Sequence, residues 1–174
     1  MRKLICTLFV GAFCIVGTSC SVTYGNKDIA ARDKLSKLAF YKSSKTDVFQ
    51  LYGQPSDAFT TKNGDSHWIY RYRKAKNNAL AYLPMGVGLV AGGKKGDLHI
   101  GDFYFNQKGK LTGVNLNSQK MYTSNLMSMG RSIGGTVSTN DSQSRVKNEL
   151  KRIGQPYDKS KGYENQLLED ALEK

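Results

Sequence analysis

Few residues in this chain carry reactive chemistry. His67 and His99 are its two histidines, and neither has a neighbour at metal-ligand spacing. None of the serines lies in a nucleophile-elbow pattern. Gly86-x-Gly88 and Gly92-Gly93 lack the following helix and lysine that a phosphate loop needs. Asp97 and Asp102 form a conceivable carboxylate pair, although Asp102 in a strand-like run reads more simply as a surface residue. The expectation is therefore a protein that is not an enzyme, with no catalytic residue, metal or cofactor. Cys20 is the exception. It follows the small residues Gly17-Thr18-Ser19, and before these stand Arg2, Lys3 and an apolar run over 4–16. A bilayer-spanning helix needs about twenty apolar residues; this shorter run suits a cleavable signal, with Cys20 at the junction.

Residues 17–20 resemble the lipobox of bacterial lipoproteins, which makes 1–19 a lipoprotein signal peptide and Cys20 the site of acylation, palmitate included. Within that resemblance, Ser21 fits sorting to the outer membrane, on its periplasmic face. Cleavage removes Cys6 and Cys14, so the mature chain holds no pair of thiols and no internal disulfide. Arg2 and Lys3 also leave, and 24 Lys+Arg then face 14 Asp+Glu, a net charge of +10. From residue 141 onward the two signs balance, so the excess lies before it. For an exported chain the expected counter-charge is an anionic membrane surface and not nucleic acid.

These features are carried by elements legible in the pattern. Residues 20–27 read as a tether. Ile29, Leu35 and Leu38 predict a helix over 28–40. A second helix has Ser44 as N-cap, Asp47 reaching back in a capping box, a stripe of Val48, Leu51 and Tyr52, and a stop at Gly53 and Pro55. Beyond it the period becomes two. Residues 58–61 form a short strand, and Asn63-Gly64 marks a hairpin turn. Trp68, Tyr70 and Tyr72 then alternate with His67, Ile69, Arg71 and Arg73, giving one aromatic face to bury and one basic face to wet. Residues 98–105 and 111–116 read as a further hairpin. Residues 123–144 read as a Gly/Ser-rich linker, and 145–174 as two amphipathic helices separable from the core. Gly53-Gln54-Pro55 recurs as Gly154-Gln155-Pro156, each closing a helix.

Lys45-Thr46-Asp47-Val48, Leu51-Tyr52-Gly53-Gln54-Pro55, Trp68-Ile69-Tyr70 and the run from Phe103 to Leu111 together resemble the SmpA/OmlA (BamE-like) family of small outer-membrane lipoproteins. The resemblance covers residues 35–116. It implies two helices on a three-stranded antiparallel sheet, and a role beside the β-barrel assembly machinery. The chain departs from the family in Tyr52-Gly53, in the apolar insertion around 80–93, and in its C-terminal helices.

The fold class expected is α+β: two N-terminal helices packed on a three- to four-stranded antiparallel meander sheet, with a C-terminal helical extension. The BamE-like domain is placed at 28–122. The expected function is that of a non-enzymatic, lipid-anchored envelope protein that binds another envelope protein in outer-membrane assembly or maintenance. Alternatives are a small lipoprotein subunit of a secretion or conjugation apparatus, and an anchored inhibitor or ligand-binding module. The surface expected to meet a partner or membrane consists of Arg71, Arg73 and Lys74, the apolar Leu83, Met85 and Leu89, and Lys94 and Lys95, because apolar residues flanked by basic ones suit a lipid interface.

Overall fold

The aromatic alternation of residues 67–73 belongs to the strand around which the whole protein is arranged. The computed structural model describes residues 21–77, 93–124 and 139–162. The elements are β1 (Ser21–Gly25), α1 (Lys45–Tyr52), β2 (Asp57–Thr60), β3 (Ser66–Asn77), β4 (Gly93–Phe105), β5 (Leu111–Ser124) and α2 (Thr139–Arg152). All strand pairs are antiparallel. β4 lies between β3 and β5, while β1 and β2 lie end to end along the other edge of β3. Turn chemistry fixes the hairpins. Gly64 takes φ 87° between β2 and β3, and Gly109 takes φ 70° between β4 and β5. At the second turn the Asn106 side chain also accepts the Lys110 N–H at 2.9 Å.

The pleat sends Trp68 and Tyr70 to one face, beside Phe103 and Phe105 of β4 and Leu111 of β5. α1 adds Val48 and Tyr52, and α2 adds Val146 and Leu150. The rings meet tilted or edge-on, as their quadrupoles favour: Tyr70 to Phe103 at 5.3 Å, Tyr52 to Phe103 at 5.1 Å, Trp68 to Phe105 at 5.1 Å. Tyr70 donates its hydroxyl to the Gly53 carbonyl at 2.9 Å, which ties the end of α1 to the sheet. The expected capping box is formed: the Asp47 N–H reaches Ser44 Oγ, and the Ser44 N–H reaches the Asp47 carboxylate at 2.7 Å. These bonds from Ser44 hold the Asp47 carboxyl below its ordinary pKa.

The expected fold class is overturned. The protein is mostly a five-stranded antiparallel sheet with few helices, and its longest described helix is C-terminal. The helix expected at 28–40 is two 3-10 segments, Lys27–Ala30 and Arg32–Lys37, broken at Ala31 in an extended conformation. Helical geometry explains the break. Six residues separate Ile29 from Leu35, which would leave them about 120° apart on one α-helix. The break lets Ile29 bury and Leu35 pack against the same core.

The tether expected at 20–27 is replaced by β1 and the start of the first 3-10 segment. Of the linker expected at 123–144, residues 123 and 124 belong to β5 and residues 139–144 to α2, and the remainder lies outside the described residues. Nor is the C-terminal segment separable, since Val146 and Leu150 are buried within the core.

Gly53 and Gly154 both take positive φ, 71° and 67°. At the second, the Gln155 N–H bonds the Leu150 carbonyl and the Gly154 N–H that of Lys151, a Schellman motif. The Gln54 amide then exchanges two bonds with the Asp158 backbone, at 2.8 and 3.3 Å. The glutamine of the first copy thus fastens the end of α1 to the chain just beyond the second copy.

Candidate functional site

β3, β4 and β5 continue past the helices, and there the core face changes character. Beyond Tyr72 the same face of β3 carries Lys74 and Lys76, both exposed. Across the register Lys74 stands opposite Asp97, and Asp97 opposite Lys120; Lys76 stands opposite Lys95. Directly opposed residues hold their Cβ atoms about 4.5–5.5 Å apart, and like charges so placed are unfavourable. Lys76 and Lys95 thus share one side of the β3–β4 ladder. Gly96 permits the close strand approach here, because a Cβ on it would lie 2.3 Å from the Lys74 carbonyl oxygen. The result is a groove of about 720 Å³ lined by four lysines, Asp97, Gly96 and Met121.

β1 brings the start of the described chain to this groove. Ser21 pairs with Lys76 and Thr23 with Lys74, so Cys20 immediately precedes a residue hydrogen-bonded into the sheet at its lysine end.

Of the residues expected at a contact surface, the structure unites Lys74 and Lys95 in this groove. Arg71 and Arg73 lie on the opposite face by alternation. Arg73 is 5% exposed rather than wet, and desolvation draws its guanidinium pKa below the ordinary value, with the nearby Tyr24 acting the other way. β1 supplies part of the cover, since Tyr24 stands opposite Arg73. Leu83, Met85, Leu89 and the Lys94 side chain lie outside the described residues. Lys120 went unmarked in the sequence because β5 was expected to stop near residue 116. Asp97 and Asp102 are not a pair, since they point to opposite faces of β4; Asp102 instead bonds the His67 ring at 3.0 Å.

The opposite end of the sheet presents a different surface. Phe40 and Tyr41 are 55% and 70% exposed. Tyr41 has φ 61°, the sole described non-glycine residue with positive φ, and its N–H bonds the Leu111 carbonyl at 2.7 Å. Left-handed backbone at a non-glycine residue costs on the order of 1–3 kcal/mol, and such strain gathers at functional surfaces. From Leu111 to Lys120 the strand spans about 30 Å at roughly 3.3 Å per residue. Aromatic corner and lysine groove therefore mark the two ends of the described sheet.

Two other polar clusters have structural roles. Glu149, 3% exposed, accepts from Lys45, from Trp68 Nε1 at 3.3 Å and from Arg152 at 3.1 Å, while Lys45 also donates to Ser66 Oγ at 2.7 Å. Burial pushes the Glu149 carboxyl up, but the Lys45 bond and charge, with Trp68 and Arg152, outweigh it and leave the pKa lowered. On the other face His67 stacks on Tyr104 at 4.5 Å, near-parallel, and has Phe59 at 6.2 Å. Arg145 covers Phe59 at 4.5 Å and bonds Asp57 at 2.9 and 3.1 Å.

Among the described residues no group of His, Cys, Asp or Glu is arranged to hold a metal, and no helix is long and apolar enough to cross a membrane. Comparison of the chain with protein-family models, with curated proteins and with solved structures returned no match.

Proposed function

We propose that this chain is a non-enzymatic, lipid-anchored protein of the outer membrane's periplasmic face, which holds another envelope protein during membrane assembly or maintenance. The reading starts from the lipobox at Cys20 and the likeness to SmpA/OmlA lipoproteins. The observation that carries it is the polarity of the sheet. Cys20 adjoins one end through β1, and the other end displays Phe40 and the strained, exposed Tyr41. Exposed aromatics on a rigid turn are the residue type that anchors protein interfaces. A domain fixed at one end and adhesive at the other is suited to presenting a partner at a set height above the bilayer.

Two measurements test this. Cys20→Ser should give an uncleaved precursor or a product released from membranes, and should lose labelled fatty acid; unchanged fractionation and normal cleavage would refute the anchor. A photo-crosslinking residue at position 41 should capture an envelope protein that the same residue at Lys62 does not. Capture of barrel-assembly subunits supports the assembly role, whereas capture of secretion-channel subunits transfers the protein to that machinery. Equal labelling from both positions would remove the aromatic corner from consideration.

A further inference from the structure

We infer that the groove of Lys74, Lys76, Lys95 and Lys120 is a seat for the phosphate of anionic glycerophospholipid headgroups in the same membrane that receives the anchor. The inference rests on the lipid-anchored reading for its geometry. Strand pairing places Ser21 beside Lys76, one strand spacing away, about 4.8 Å. No spacer intervenes between Cys20 and this pair, so an acyl chain on Cys20 brings the groove to headgroup level.

The chemistry of the lining agrees. Lysine ammonium groups are compact point charges with three donors on flexible stems, suited to phosphate oxygens whose positions vary from lipid to lipid. Among the described residues of the lining, four lysines accompany one carboxylate, Asp97. At the same level Arg73, Ala75 and Leu98 of the opposite face are buried.

The mature chain carrying Cys20→Ser, which has no lipid of its own, is mixed with phosphatidylcholine vesicles with and without phosphatidylglycerol, and the bound fraction is read by sedimentation. Binding is expected only with phosphatidylglycerol, and should fall as salt rises. Each lysine at an anionic surface contributes about a fivefold gain in partitioning. Lys76→Gln with Lys120→Gln should therefore lower binding about twenty-fivefold at an unchanged melting temperature. Lys62→Gln with Lys108→Gln, the same charge change in the turns at the other end, should lower it less than twofold. Equal losses from the two pairs would mean that net charge, and not the groove, drives adsorption. Displacement of the protein by millimolar glycerol phosphate would identify a soluble phosphate as the ligand and overturn the lipid assignment. Because this protein is unlipidated, failure here leaves the Cys20 fractionation result standing, and failure there leaves this one interpretable.

Discussion

Replacing Glu149 by alanine should destabilise the protein by about 3–5 kcal/mol, the usual cost of stranding one member of a buried ion pair. The carboxylate is 3% exposed and takes three donors. Arg152 is more than half exposed and loses little when its partner goes. Lys45 is different. Its side chain is 11% exposed, and without Glu149 its remaining hydrogen bond is to Ser66 Oγ. The Trp68 indole N–H is stranded as well, at about 1–3 kcal/mol if counted alone. Against a total stability of about 5–15 kcal/mol the loss is large. The double substitution Lys45→Met with Glu149→Leu removes both charges, and should return to within about 2 kcal/mol of wild type. Urea unfolding followed by fluorescence of Trp68, the single tryptophan, reads wild type, Glu149→Ala, the double substitution and its two component singles, Lys45→Met and Glu149→Leu. The pH response follows from the lowered carboxyl pKa. The carboxylate's contribution is complete above its unfolded value, about 4.3, and is lost as pH falls through the lower folded value. Wild type should thus lose stability below about pH 4 more steeply than Glu149→Gln. Single substitutions that add up to the double would refute the reasoning, as would a Glu149→Ala protein within 1 kcal/mol of wild type.

Truncation after Ser138 removes Val146 and Leu150 from the core together with Glu149, and should abolish cooperative unfolding rather than merely weaken partner binding; a circular-dichroism melt that survives truncation would show that α2 only rests on the sheet. Gly53 combines φ 71° with ψ −151°, a region essentially closed to side chains, so Gly53→Ala should cost on the order of 1–3 kcal/mol, while Gly53→Asn should fail to rescue because asparagine favours a different ψ.

Local signals were legible where a short pattern has one physical meaning. The capping box at Ser44 and Asp47, the stops at Gly53 and Gly154, and the aromatic face of β3 follow directly from residue type. The helix expected at 28–40 was not, because the spacing of Ile29, Leu35 and Leu38 does not separate one α-helix from two offset turns that serve the same core. The groove was half legible. Counting outward from the β4–β5 turn along the pair Phe105 and Leu111 sets Asp97 opposite Gln119; the irregularity between Tyr104 and Phe105 shifts the ladder by one and brings Lys120 there instead. A single-residue shift flips a strand's faces, and nothing in the residue string announces it. Phe40 was absorbed into the expected helix at 28–40 and Tyr41 fell just past its end, so the strained turn went unread.

The antiparallel pairing of β1 with β3 sets how the molecule bears load. If the acyl group is drawn toward the bilayer while a partner pulls at the Tyr41 end, tension runs along the strands and not across them. The five residue pairs between Ser21–Gly25 and Tyr72–Lys76 are then stressed together, in shear, instead of peeling apart one by one. A short edge strand that would be weak against unzipping becomes a mechanical clip in this direction. The fold would transmit a pull between membrane and partner through this paired edge of its sheet.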